Sequence, residues 1–492
     1  METCALKRLL RHLFSRAEAV FDWSFGAACN PLSNLGALGW YFFWIAAASG
    51  IYLYVFFDTG VSAAYASVEY MSNEQWYAAG ILRSLHRYVS DALVVVVVIH
   101  ILREFSLDRL RGKRFFSWIT GVPLLWFIYA CGISGYWLVW DKLAQYVAIA
   151  TTEWLDALPF FGKPIANNFL NNLTLGDRFF TLMMFIHIFA PLFMLVLMWV
   201  HISRLAQAKV NPPRPLMIGT AAMMVILSLI YPATSQGPAD LDVVPSSVGL
   251  DWFYLGALPL LDHNPGGALW LIVIGATVLL ALFPWIPPQK PQPAALVDLE
   301  NCNGCGRCFE DCPYGAISMA PRSDGRPFDV EVIVDSELCL SCGICVGACP
   351  TSTPFRRARP ITPGIELPDH RISDLRAQTL TASEEFGTGK RVLVYACSKA
   401  DTKAFETDGA QVVTMPCIGM LPPSFIDFAI SRELADDVVL AACSQGSCYY
   451  RLGIEWTQQR IAGERDPYLR KRVPRERISL SCGGHIERGD KE

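Results

Sequence analysis

Before residue 290 the sequence contains six stretches, near 35–57, 80–104, 116–140, 177–205, 214–232 and 267–286, that each supply the ~20 apolar residues a bilayer span needs. Inside lipid every backbone polar group must be satisfied within its own segment or in a closed barrel, so runs of this length predict helices. The composition agrees: 52% of residues are hydrophobic and only 17% are charged, an imbalance a wholly soluble chain would rarely carry. Arg and Lys concentrate in the connections 103–114 and 204–214 and are sparse in 58–79, 141–176 and 233–266. The positive-inside rule then predicts both termini in the cytoplasm, with everything after residue 290 on that side too. The basic start, Lys7-Arg8 to Arg16, lacks the apolar core and cleavage site of a signal peptide and reads as an interfacial helix. A net charge of −4 with no basic patch argues against a nucleic-acid partner.

Histidines give the membrane part its chemistry. His86 and His100 lie in the second stretch, His187 and His201 in the fourth, and each pair is separated by 14 residues. On a helix 14 residues are ~21 Å of rise and nearly four whole turns, so both imidazoles of a pair share one side at two depths. Two such helices running in the same direction would pair His86 with His187 and His100 with His201. Each pair can clamp one iron from both axial sides, which predicts two b haems stacked across the bilayer. The alternative is four histidines satisfied by neighbouring helices, but ionisable groups inside spans are costly and a repeated spacing needs a reason. Gly36 and Gly50 in the first stretch, and Gly121 and Gly135 in the third, show the same 14-residue spacing. Glycine permits the close backbone approach that a haem among four helices requires, although small-residue helix packing would also explain it.

These features resemble the cytochrome b of bc-type quinol complexes over about residues 20–286. The resemblance rests on the RSLHR run around His86, the two histidine pairs, the glycine pairs and the run GYWLVWDKLAQY from Gly135. It implies that His86 and His187 hold an outer haem, that His100 and His201 hold an inner one, and that Arg83 faces a haem propionate. The stretch around Asp251-Trp252-Phe253-Tyr254 is similar to the family's PEWY segment, which lines the quinol-oxidation pocket. Asp251 and Tyr254 are therefore the expected quinone-site residues. Asp251 replaces the family's glutamate and has a shorter reach; its alternative role is a helix N-cap. The family's later spans are missing, and Cys29 is not where the photosynthetic branch attaches an extra haem.

Sixteen cysteines are distributed unevenly, thirteen of them from residue 302 onward. Short fixed spacings of this kind suit metal ligation in a reducing compartment better than disulfides. Cys302, Cys305, Cys308 and Cys312-Pro313, and again Cys339, Cys342, Cys345 and Cys349-Pro350, fit C-x2-C-x2-C-x3-C-P. Two copies are the signature of a two-cluster ferredoxin, in which the fourth cysteine of each run crosses to the other cluster. One 4Fe–4S cluster is then expected on Cys302, Cys305, Cys308 and Cys349, and a second on Cys339, Cys342, Cys345 and Cys312. Zinc knuckles, the alternative, pair their ligands rather than repeat two identical quartets.

A stiff linker with Pro284, Pro287, Pro288, Pro291 and Pro293 precedes these runs, and a second with Pro354, Pro360, Pro363 and Pro368 follows them. Beyond it, 391–396 and 437–442 read as short buried strands of an α/β domain. Cys397, Cys417, Cys443 and Cys448 follow or sit in short apolar segments there. This region, roughly 390–465, resembles the delta subunit of methyl-viologen-reducing hydrogenase. The family's opening C-x-x-C is broken, because Cys397 is followed by Ser398-Lys399-Ala400. Four cysteines still suffice for one 2Fe–2S cluster; the alternative is a cluster-free docking domain with buried thiols. Cys482 remains unassigned.

The expected architecture is a membrane all-α cytochrome b bundle over 1–290, a ferredoxin-like domain over 299–352 and a C-terminal α/β domain over 388–492. The resemblances imply an electron-transfer subunit of a quinone-linked oxidoreductase in a prokaryotic inner membrane. Its partners would be membrane quinone and a soluble flavoprotein or heterodisulfide-reductase-like subunit, in a hetero-oligomer that dimerises, if at all, through the cytochrome b part. No G-x-G-x-x-G fingerprint with its strand and acidic residue is present, so hydride chemistry is expected on the partner. The competing reading is a membrane anchor and electron conduit without a quinone site. The direction of electron flow is not legible.

Overall fold

The computed structural model describes residues 5–159, 165, 170, 175–262, 266–286, 292–357, 360–387, 389–405, 409–444, 446, 448–483 and 485–488. Pro287, Pro288 and Pro291 of the first linker lie outside them, as does much of 160–174. The chain divides into two compact units, Met1–Ile202 with Lys209–Pro288, and Ser203–Ala208 with Gln289–Glu492.

The first unit is helical. Its elements are α1 (Ala5–Phe25), α2 (Leu35–Phe56), α3 (Ala63–Asn73), α4 (Ile81–Ser106), α5 (Phe115–Val139), α6 (Lys142–Asp156), α7 (Asp177–Ile202), α8 (Arg214–Ile230), the single turn α9 (Trp252–Leu255) and α10 (Gly266–Leu282). Among the described residues, five helical segments are long and apolar enough to cross a membrane: Pro31–Phe56, Trp76–Ser106, Gly112–Val139, Asp177–Ile202 and Gly266–Trp285. The remaining expected stretch forms α8, whose 17 residues rise only ~25 Å against a hydrocarbon core of ~30 Å. Their apolar residues point outward as well as inward; Leu182, Phe185, Phe189 and Leu192 of α7 are exposed, as a lipid-facing surface requires. The inward faces are packed: α2 lies along α4 and α5 along α7, around a core that includes Leu38, Phe42, Val89, Leu93 and Phe180. On α1, Lys7 is buried and pairs with Asp108, while Glu18 accepts from Arg103 at 2.8 Å. These ion pairs hold the basic N-terminal helix against the end of α4.

The second unit has one continuous core running from Ala295 to Cys482. The two expected iron–sulfur domains therefore pack as a single body. Its first half has two small antiparallel sheets, β1 (Leu296–Val297) with β4 (Ile365–Glu366), and β2 (Ile317–Pro321) with β3 (Val330–Val334). Two short helices, α11 (Arg307–Asp311) and α12 (Ile344–Ala348), each begin after a left-handed glycine, Gly306 (φ 75°) and Gly343 (φ 76°). Both glycines stand between the second and third cysteines of a run, so the two runs fold alike. The second half is an α/β domain with the strand order β6-β5-β7-β8-β9. β5 (Val392–Cys397), β6 (Ala410–Met415), β7 (Asp437–Ala442) and β8 (Ile478–Cys482) are parallel, and β9 (His485–Arg488) closes the edge antiparallel to β8. β5 and β7 are the two strands expected from the sequence. Their near-continuous apolar character reflects burial on both faces of a parallel sheet. Helices α13 (Ile372–Glu384), α14 (Pro423–Ser431) and α15 (Gly453–Ala462) complete the unit.

Candidate redox-cofactor sites

α4 and α7 bring His86 and His187 face to face, with ring centroids 6.3 Å apart and planes at 67°. Two imidazole nitrogens that each lie about 2 Å from a shared metal leave their ring centres on the order of 6 Å apart. The orientation of the rings is fixed from behind. Nδ1 of His86 lies 2.9 Å from the Ala46 carbonyl and 3.2 Å from Ser49 Oγ. Nδ1 of His187 lies 3.0 Å from the Cys131 carbonyl and 3.2 Å from Ser134 Oγ. His201 bonds in the same way to Thr120 Oγ1, at 3.1 Å, and to the Ser117 carbonyl. A carbonyl can only accept, so Nδ1 carries the proton in these rings and Nε2 is left as the lone-pair nitrogen that a metal takes.

Each expected glycine abuts one of the four imidazoles. A Cβ added at Gly135 would lie 2.9 Å from His187 Cε1, at Gly50 3.0 Å from His86 Cε1, at Gly121 3.2 Å from His201 Cε1, and at Gly36 3.6 Å from His100 Cε1. The close approach the glycines permit is thus to the histidine ring itself. The accepting carbonyls, Ala46, Ser117 and Cys131, sit four residues before Gly50, Gly121 and Gly135. Glycine, the hydroxyl residue before it and that carbonyl form one cradle per ring. The sequence signal for this cradle was a Ser or Thr ahead of three of the glycines; Leu35 takes that place before Gly36.

Arg83 makes protein contacts: it donates to Ser72 Oγ and, at 2.8 Å, to Ser235 Oγ, with Glu69 at 3.8 Å. Asp251 is buried and is the N-cap of α9, its Oδ1 accepting from Phe253 N at 2.8 Å. The N-cap alternative is therefore met. The same carboxylate also accepts from the Tyr136 hydroxyl and lies 3.3 Å from Arg87 Nη2. Burial alone would raise this carboxyl, but hydrogen bonds from Asp91 and Tyr136 and the Arg87 charge outweigh it and hold Asp251 below its usual range. Tyr254 is buried against Gly132, where an added Cβ would collide with its ring, and donates to the Ser90 carbonyl at 2.9 Å.

In the second unit the cysteines of the two runs lie close to one another. Burial pushes the Cys308 thiol up to about 12, with Cys349, Cys305 and Cys302 adding to it. Burial likewise pushes Cys342 up to about 12, and Cys312 and Cys339 are the neighbours that add. Cys312, Cys339, Cys342 and Cys345 line one cavity. The ends of β5 and β7 bring Cys397 and Cys443 to 3.5 Å, and Cys417 and Cys448 converge on Gly453. A hydrogen bond to Cys448, then burial, raises Cys417 well above its usual value, and Cys342 is among the groups it feels. The C-terminal quartet thus lies beside the Cys312, Cys339, Cys342 and Cys345 quartet. Between the ferredoxin runs and α15 the buried Arg460 pairs with the buried Asp311 and donates to the Gly419 carbonyl at 2.9 Å.

Residues 22–209 match the family model of cytochrome b/b6/petB. The chain carries a cytochrome b domain. Residues 301–353 match the 4Fe-4S dicluster domain and residues 391–483 the delta subunit of methyl-viologen-reducing hydrogenase, so two further redox-type segments follow it. Among solved structures, one described as "Hyperthermophilic respiratory Complex III" matches at 19% identity with a TM-score of 0.42, over 51% of this chain and 74% of that one.

The cytochrome b domain fits haem on its own geometry: two facing imidazoles at bis-axial spacing with their outward nitrogens already committed. The cysteine quartets fit iron–sulfur clusters on electrostatic grounds. Buried, crowded thiols resist ionising together, and multivalent iron supplies the positive charge that lets four thiolates share one site.

Proposed function

We propose that the chain is the membrane electron-transfer subunit of a quinone-linked oxidoreductase, holding two b haems, two 4Fe–4S clusters and one 2Fe–2S cluster. When bound, these groups supply one-electron transfer. The protein's own part is ligation and insulation. His86 and His187 would take one haem, His100 and His201 the other, with Gly36, Gly50, Gly121 and Gly135 giving the rings room. Cys302, Cys305, Cys308 and Cys349 would hold one 4Fe–4S cluster, Cys339, Cys342, Cys345 and Cys312 the second, and Cys397, Cys417, Cys443 and Cys448 the 2Fe–2S cluster. Asp251 and Tyr254 lie at the end of the bundle where quinone would bind, and Arg83 stands one turn before His86 for a propionate contact.

In this reading α8 is a sixth, short span, since 17 residues are at the lower limit for crossing. Both termini then lie in the cytoplasm of a prokaryotic cell, and the second unit meets a soluble flavoprotein partner that carries the substrate chemistry. That partner rests on analogy with the hydrogenase delta subunit. The observation that carries the reading is the 6.3 Å separation of the His86 and His187 rings with both Nδ1 atoms already bonded.

The test is haem reduction kinetics in membranes with and without a quinol-analogue inhibitor. A changed rate supports the quinone-linked reading. An unchanged rate favours the second reading, a conduit to another protein without a quinone site. The tight seating of Tyr254 on Gly132 and the capping role of Asp251 favour that second reading.

A further inference from the structure

Beside the His86–His187 pair, three charged side chains from α4 and the N-cap of α9 meet against Tyr136 of α5. Arg87 and Asp91 lie one turn apart on α4, with Arg87 Nε 3.6 Å from Asp91 Oδ2. Arg87 Nη2 reaches Asp251 Oδ2 at 3.3 Å, and its guanidinium covers the Tyr136 ring of α5 at 4.8 Å. The other groups facing the cluster are Tyr88 on α4, Tyr129 and Cys131 on α5, and Tyr254 on α9. Tyr254 lies 6.4 Å from Tyr136 and 5.9 Å from Tyr129, ring to ring.

The two carboxylates are not equivalent. Asp251 is fully engaged as an anion: it accepts from the Phe253 amide and the Tyr136 hydroxyl and lies against the Arg87 guanidinium. Asp91 faces the Asp251 carboxylate and pairs with Arg87, and its Oδ1 is buried without a hydrogen-bond partner. Arg87 Nε, at ion-pair distance from Asp91, is likewise buried without a hydrogen bond. Two carboxylates facing one guanidinium carry one surplus negative charge in a low-dielectric site, where an unpaired charge is costly. A single proton on Asp91 removes that charge and lets the carboxyl donate to the facing Asp251 carboxylate.

We propose that Asp91 is a redox-linked proton-binding residue, taking up one proton when the haem held by His86 and His187 is reduced, with Asp251 as its fixed ionised neighbour. This rests on the haem reading for that histidine pair and needs no quinone site. Asp91 is five residues from His86, ~7.5 Å along the helix, and the intervening turn is tied by Ser90 Oγ donating to the His86 carbonyl at 2.7 Å. One electron from an external reductant lowers the charge of the haem iron by one. One proton from water at that end of the bundle then forms an O–H bond on Asp91, and local charge is conserved.

The experiment is a spectroelectrochemical titration of both haems in the purified full chain across a range of pH. One proton per electron makes the reduction equilibrium of the His86–His187 haem tenfold less favourable per unit rise in pH, within a limited window. Asp91→Asn is expected to abolish that dependence and Asp91→Glu to retain it. Asp251→Asn is expected to keep it and move its window to lower pH, because a neighbouring negative charge has been removed. Reduction-induced infrared difference spectra should show a protonated-carboxyl band in the wild type that Asp91→Asn lacks. A wild-type haem with no pH dependence overturns the proposal, as does dependence that persists in Asp91→Asn or disappears only in Asp251→Asn. Absence of any haem spectrum in the wild type refutes the haem reading instead. Retention of both haem spectra in Asp91→Asn establishes that the variant has folded.

Discussion

Replacing Gly135 by alanine should loosen the haem shared by His86 and His187 and leave the other untouched. The new methyl would lie 2.9 Å from His187 Cε1 and 3.5 Å from its Nδ1, whereas carbon atoms in good contact stand about 3.5–4.0 Å apart. The ring must therefore retreat by roughly 0.6 Å or more. It has little freedom to do so, because Nδ1 is bonded to Cys131 and Ser134, on the same helix as Gly135. Overpacking of this kind costs about 1–3 kcal/mol, which is roughly a 5–150-fold loss of haem affinity. Gly36→Ala is the internal control, since its Cβ would sit 3.6 Å from His100 Cε1, an ordinary contact. Haem content per chain after detergent washing, by pyridine haemochrome, should fall from about two toward one in Gly135→Ala and stay near two in Gly36→Ala. Gly50→Ala should behave like Gly135→Ala, and Gly121→Ala should fall between. Full haem retention in Gly135→Ala, or equal losses at Gly135 and Gly36, would refute the cradle.

Other outcomes follow from the same geometry. His100→Ala should remove only the haem shared with His201, leaving one haem per chain; loss of both, or of neither, would contradict the pairing. Asp311→Ala leaves Arg460 buried and unpaired, and stranding a buried charge costs about 3–5 kcal/mol. Thermal unfolding followed by cluster absorbance should show a clear drop in Tm, and an unchanged Tm would mean the pair is not structural. Cys448→Ser should abolish the 2Fe–2S electron paramagnetic resonance signal and lower cluster iron by about two atoms, sparing both 4Fe–4S signals. Loss of a 4Fe–4S signal in that variant would mean the cysteines are grouped differently.

The features legible in the sequence were those set by period. The 14-residue spacing placed His86 with His187 because an α-helix repeats nearly on that interval, and the same rule put the glycines opposite them. The likeness of the two cysteine runs was legible because each C-x2-C-x2-C-x3-C-P run folds around its own left-handed glycine. Features that depend on which chain segment arrives from elsewhere were not legible. The carbonyls of Ala46 and Cys131 that orient the rings are main-chain groups with no residue signature. Asp251 read as a quinone-site residue; its engagement by the Tyr136 hydroxyl, the Phe253 amide and Arg87 was not legible, because those partners come from α5, α9 and α4. The hydroxyls of Ser72 and Ser235 that Arg83 bonds to likewise come from other segments. The proline-marked linkers suggested separate cysteine domains, yet one core joins them because α15 packs Trp456 and Arg460 onto Asp311.

The account stands on the claim that one chain holds two b haems and three iron–sulfur clusters. Quantifying haem b and non-haem iron together on the purified, anaerobically isolated full chain tests it most directly. It predicts about two haems, and about ten cluster iron atoms from four plus four plus two. One haem or none per chain, or tightly bound zinc in place of the iron, would contradict it.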